Sequence, residues 1–130
     1  MTVQDPIAVA KAYFSAVNET RLDDLARVFA EKARLEFPQQ EPIQGRQAIR
    51  DFYSGVLQFY PQRFDQVTRY FADGQGGVAA EIHFEGKTLT GRPVVFDAVD
   101  LFRTSGGEIQ ELRIFYDAKK VLEMVGELPK

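Results

Sequence analysis

The apolar residues of this chain change period part-way along it. Ile7, Ala10, Phe14 and Val17 recur at helical spacing, and Pro6 suits an early helical position, so a first helix is expected from Pro6 to Asn18. After a turn from Asn18 to Arg21, Asp23 and Asp24 stand ahead of Leu25, Val28 and Phe29. That order predicts a short second helix with acidic side chains in the first turn, where the helix dipole favours them. Gly45 then precedes Ile49, Phe52, Tyr53, Val56 and Leu57, the stripe of a third helix. One stretch breaks the helical pattern: Arg34 to Pro38 alternates Leu35 and Phe37 with charged Arg34 and Glu36, a short strand ended by proline.

Beyond Tyr60 the period falls to two. Phe64 to Phe71, Gly77 to Glu85, Pro93 to Arg103 and Ile109 to Tyr116 are strand candidates, parted by Asp73-Gly74, by Gly86 to Gly91 and by Ser105-Gly106-Gly107. A last segment, Ala118 to Val125, places Val121, Leu122 and Val125 on one face of a short closing helix. Helices first and an antiparallel meander after them predict an α+β fold in one domain, residues 1–130. Three helices on the concave face of a curved antiparallel sheet make a cone, and the gap at one end of a cone is a small-molecule pocket.

Composition narrows the functional classes. Sixteen basic and nineteen acidic residues give a net charge of -3 without long single-sign runs, which leaves a nucleic-acid or membrane-surface role no electrostatic basis. The absence of cysteine removes disulfides, thiolate metal sites and a cysteine nucleophile, and the lone His83 cannot build a histidine-rich metal site. The polar stretch Met1 to Pro6 lacks an apolar signal region, so a cytoplasmic protein is expected.

Three groups of residues carry a family likeness: Tyr13 with Asn18 five residues on; Gly45 with Ala48-Ile49-Arg50 and Phe52-Tyr53; and Asp100 in Asp-Leu-Phe-Arg. Together the chain resembles the steroid Δ-isomerases of the nuclear-transport-factor-2-like superfamily, whose fold is cystatin-like, over roughly Ile7 to Lys120. The resemblance implies that Tyr13 and a protonated Asp100 donate hydrogen bonds to a substrate carbonyl oxygen, with Tyr53 supporting them. It also exposes a departure. The isomerase base is an aspartate just before a proline on the first strand, and here that position is Phe37, followed by Pro38. Glu36 is adjacent, but one step along a strand turns a side chain to the opposite face.

The carboxy-terminal half is similar to the SnoaL-like polyketide cyclase branch of the same superfamily: Thr90-Gly91-Arg92-Pro93-Val94, then Gly107-Glu108-Ile109, then Tyr116-Asp117. That resemblance implies Asp117 as an acid/base, although an aspartate there equally caps the closing helix. His83 lies upstream at a shorter spacing than the branch's histidine and, between Ile82 and Phe84, is expected on the outer sheet face, as is Asp97. Tyr13 reads as well as a core tyrosine as it does a ligand contact. Asp100 is harder to set aside, because a carboxyl in an apolar strand needs a partner or a proton.

The expected pocket is lined by Tyr13, Phe37, Tyr53, Phe84, Asp100, Phe102 and Tyr116, with Asp117 as candidate base. The expected ligand is small and hydrophobic and carries one carbonyl or hydroxyl oxygen. Isomerase, cyclase or dehydratase chemistry would need no cofactor, since it asks only for proton transfer and oxyanion stabilisation. The alternative is a non-catalytic binding or dimeric interaction module that kept the donors and lost the base. By analogy with the superfamily, Arg69, Glu81, His83 and Arg113 on the outer sheet face would pair two copies of the chain.

Overall fold

The structure is a computed structural model that describes residues 5–126. Helix α1 (Pro6–Asn18) starts where Asp5 accepts a hydrogen bond from the Ile7 N–H at 3.0 Å and proline takes a position whose N–H would have no partner. Its inner face buries Val9, Ala10, Tyr13, Phe14, Ala16 and Val17. Thr20, at φ 55°, turns the chain into α2 (Leu22–Val28). Helix α3 (Arg46–Phe59) follows Gly45, whose φ of +92° suits glycine. Asp23 of α2 and Arg50 of α3 are joined at 2.7 Å.

The strands are β1 (Phe29–Glu36), β2 (Ile43–Gln44), β3 (Gln62–Ala72), β4 (Gly77–Lys87), β5 (Pro93–Ser105) and β6 (Glu108–Phe115), followed by α4 (Ala118–Val125). They form one sheet in the order β2-β1-β6-β5-β4-β3. Burial in β4 alternates at every step from Gly77 to Phe84, so Val78, Ala80, Ile82 and Phe84 face the helices. Register shifts between Val67 and Arg69 and between Arg103 and Thr104 interrupt the ladders, as expected of a bent sheet.

The fold is α+β, with two corrections to the expected architecture. The sheet is mixed, because β1 runs parallel to β6 while every other pair is antiparallel. The closing helix is present as expected, but as α4 it packs on the sheet as a fourth helix where three were expected there, with Val121 against Phe84 and Val94. Phe29, expected at the end of a helix, opens β1 instead and is fully buried. Arg46 explains the anchoring: its Nε and an Nη donate to the Phe29 carbonyl at 2.9 and 2.7 Å, and the same Nη reaches Glu108 at 3.1 Å. One side chain thus ties the start of α3 to β1 and β6. Among the described residues no helix is long and apolar enough to cross a membrane.

Candidate functional site

Between α1, α3 and the concave face of β3 to β6 lies a cavity of about 430 Å³. Its walls are mostly aromatic and aliphatic. Phe37 stands edge-on to Phe52 and Tyr116, with ring centres 5.0 and 5.8 Å away, and Phe84 stacks on Phe96 at 4.7 Å. Into this wall project a few polar side chains: Tyr13, Tyr53, Asp65, Asp100, Arg63 and Gln40.

The phenols come from two helices. Tyr13 of α1 and Tyr53 of α3 are buried, and their hydroxyls share a hydrogen bond of 2.5 Å. The Tyr13 ring is fixed edge-on against Phe14 and Phe102, with centres 4.9 and 5.4 Å away. Burial, above all, holds both phenols well above their ordinary pKa, and the carboxyls of Asp100 and Asp65 push the same way. Both therefore keep their protons. When Tyr53 donates to Tyr13, the Tyr13 O–H is free to donate to a ligand.

Asp100 sits on the inner face of β5, paired with Ala80 on β4 and Ile114 on β6, and is 4% exposed. Burial first, and the negative charge of Asp65 second, raise its carboxyl well above the carboxylate range, and no hydrogen bond pulls it back. These surroundings favour the protonated carboxylic acid, whose O–H is a donor facing the cavity.

Asp65 on β3 is a second inward carboxyl, which no motif in the sequence marks. Both of its backbone groups are held by one side chain: Asn18 Oδ1 accepts from the Asp65 N–H at 2.8 Å, and Asn18 Nδ2 donates to the Asp65 carbonyl at 3.0 Å. Burial raises the Asp65 carboxyl to about 6, while the guanidinium of Arg63 on the same strand face opposes the shift. Arg63 is itself fixed, donating to the carbonyls of Val17 and Tyr60 at 2.6 and 3.0 Å and to Thr20 Oγ1 at 2.7 Å. A period-two reading anchored on Val67 would have turned Arg63 and Asp65 inward. Anchored on Phe64 it turns them out, yet Phe64 is 55% exposed.

Residues 10–112 match the profile of the SnoaL-like domain family. The chain belongs to that family. Solved structures agree on the fold of this SnoaL-like domain. It aligns over 89% of its length with 90% of a protein of ketosteroid isomerase-like fold from Catenulispora acidiphila, solved in complex with trimethylamine, at 20% identity and a TM-score of 0.81. It aligns over 92% with 97% of TerC co-crystallized with polyporic acid, at 12% identity and a TM-score of 0.82. The third, an M. tuberculosis LEH-like epoxide hydrolase, is matched over 95% of this chain and 93% of its own, at 17% identity and a TM-score of 0.77.

Of the residues expected in the pocket of this SnoaL-like domain, Tyr13, Phe37, Tyr53, Phe84, Asp100 and Tyr116 line it together. Phe102 does not reach the lining. It is buried behind Tyr13 as support. Asp117 is also outside the cavity: the strand ends with Tyr116 turned inward, which leaves Asp117 exposed as the N-cap of α4, accepting from the Lys120 N–H at 3.1 Å. Glu36 faces outward to Arg34 and Arg113. His83 lies on the outer face between Asp97 at 2.9 Å and Glu85 at 2.8 Å, and these hydrogen bonds raise its pKa. Among the described residues no group of three or more His, Cys, Asp or Glu is placed to hold a metal ion.

Proposed function

We propose that this SnoaL-like domain binds a small, largely apolar ligand by one carbonyl or enol oxygen and moves a proton beside that oxygen without a cofactor. One observation carries the reading: a buried carboxyl whose surroundings favour its protonated form, Asp100, and a hydrogen-bonded phenol pair, Tyr13 and Tyr53, converge on an aromatic cavity of about 430 Å³. Protonated donors in an apolar site favour an oxygen on which negative charge develops. When a carbonyl compound loses an adjacent proton, the charge gathers on its oxygen, so these donors bind the enolate more tightly than the ketone. Isomerisation, cyclisation by an aldol step and dehydration all pass through that species. The size and wall chemistry of the cavity suit a bicyclic or tricyclic ligand.

A non-catalytic module is the second reading, favoured by Phe37 at the position of the isomerase base. Phenols separate the readings from an empty cavity, since a phenolate mimics the enolate. Titration calorimetry with 2-naphthol is expected to show binding that Tyr13→Phe weakens at least tenfold. Equal affinity for the two proteins would contradict the donor role of Tyr13. Consumption or isotope exchange of a ketone then separates an enzyme from a binding module.

We also propose that two copies pair through the outer sheet face. Val95, Val99 and Phe115 are 44, 39 and 45% exposed there, beside the charged pair of Arg69 and Glu81. Sedimentation velocity is expected to show a dimer that Val99→Asp with Phe115→Glu converts to a folded monomer. A wild-type monomer at 100 μM, taken as about the upper end of working concentrations, would contradict the pairing.

A further inference from the structure

We propose that Asp65 is the catalytic base, so that the carboxylate missing from position 37 is supplied by β3. The proposal rests on the proton-transfer reading above and adds the residue that makes it chemically complete. Asp65 lines the same cavity as Tyr13, Tyr53 and Asp100. Its placement is set by α1, the helix that carries Tyr13. Asn18 clamps the Asp65 backbone from both sides, and the Val17 carbonyl receives Arg63, two residues before Asp65. The position of the carboxyl relative to the Tyr13 hydroxyl is therefore fixed by one rigid helix, the arrangement that proton transfer needs. Asn18, singled out in the sequence only by its distance from Tyr13, acquires a purpose as the positioning residue of the base.

The two carboxyls take opposite states because their surroundings differ. Arg63 stands on the strand face of Asp65 and favours its charge. Asp100 has burial and the Asp65 charge against it. Among groups that titrate or carry charge, those bearing on Asp65 are Arg63 on its own strand, Tyr13 on α1, Tyr53 on α3 and Asp100 on β5. The two phenols and Asp100 are all shifted toward their protonated forms, so of these four acids Asp65, at about 6, is the one placed to ionise in the physiological range. Separated acidities of this kind assign the base to the more acidic group and the donor to the less acidic one.

The step balances without an oxidant or a metal. An Asp65 carboxylate oxygen takes the proton from the carbon next to the ligand carbonyl. The C–H electron pair becomes the C=C bond of the enolate, and the carbonyl π pair moves to oxygen, where Tyr13 and Asp100 donate to it. Asp65, now a carboxylic acid, returns the proton to the same carbon or to the far end of a conjugated dienolate. In deuterium oxide the Asp65 O–H exchanges with solvent before the return, so return to the same carbon gives isotope exchange and return to the far end gives an isomer.

The experiment is proton exchange of 2-tetralone in deuterium oxide, followed by proton NMR, with 2-naphthol affinity measured on the same samples. Asp65→Asn is expected to lower the exchange rate at least 100-fold, within the range of about 10² to 10⁴ for loss of a positioned base. Its 2-naphthol affinity is expected to stay within threefold of the wild type, which also reports an intact fold. Wild-type exchange should rise with pH through a single ionisation near 6, and Asp65→Glu should retain such a limb. Exchange by Asp65→Asn within threefold of the wild type overturns the assignment, as does a wild-type protein that binds 2-naphthol but exchanges no proton of the ketone. Absence of 2-naphthol binding in the wild type sinks the donor-site reading instead.

Discussion

Replacing Asp100 with leucine is expected to have two opposite effects: ligand proton transfer slows about 10²- to 10³-fold, and the folded protein gains stability at pH 8. The first follows from the loss of one preorganised donor to the developing oxyanion, an effect of about 2.7 to 4 kcal/mol. The second follows from linkage. Asp100 is raised well above the usual carboxylate value when folded, while in the unfolded chain it has its ordinary acidity. Below the unfolded value both states hold the proton and nothing is lost. As pH rises above it, the unfolded chain releases its proton first, and folding loses about 1.4 kcal/mol per pH unit until the folded carboxyl also ionises. Leucine has a similar volume and no proton, so the penalty disappears. Urea unfolding at pH 4 and pH 8 reads it: the stability of Asp100→Leu relative to wild type should increase between the two. A stability difference that does not change with pH would mean that Asp100 is ionised in the folded protein.

The second large effect concerns the support behind the phenols. Phe29→Ala is expected to destabilise the protein by about 3 to 5 kcal/mol, the usual cost of emptying a fully buried aromatic site. Phe29 is 0% exposed, and its ring meets Tyr13 and Tyr53 at 6.0 and 6.3 Å between centres. Its carbonyl is also where Arg46 anchors α3, so a shift of β1 would be passed on to that helix. Truncation therefore leaves Tyr53 with space to move, and 2-naphthol affinity should fall together with stability. Urea unfolding at pH 7 provides the check, and a loss below about 1 kcal/mol would show that the neighbourhood collapses around the gap without cost.

The elements that the sequence revealed are those in which one local rule acts without competition. Helix α1 has a cap at Asp5, a proline at its start and an unbroken apolar stripe, and β4 alternates strictly between Gly77 and Phe84. Phe29 resembles a helical residue locally because its apolar spacing continues that of Leu25 and Val28, and only the pairing with Ile109 and the bonds from Arg46 reveal it as a strand residue. The parallel pairing of β1 with β6 joins residues some eighty positions apart and leaves no local trace. The same division holds in the site. Tyr13, Tyr53 and Asp100 could be named from their apolar neighbours and the family likeness. Asp65 could not, because β3 places an exposed Phe64 beside an inward-facing, half-buried carboxyl, inverting the usual pattern of apolar in and polar out. Such an inversion sets local preference aside in favour of a site, where conflicts of this kind are expected to gather.

The claim on which the account turns is that one cavity holds two carboxyls in different protonation states. Isotope-edited infrared or carbon NMR titration of protein labelled at its aspartate carboxyls, assigned with Asp65→Asn and Asp100→Asn, measures this directly. The expected result is one carboxyl that ionises near 6, lost in Asp65→Asn, and a second that holds its proton well above the ordinary carboxylate range, lost in Asp100→Asn. Two carboxyls fully ionised at pH 5 would contradict the account, because neither an acid donor nor a tuned base would then exist.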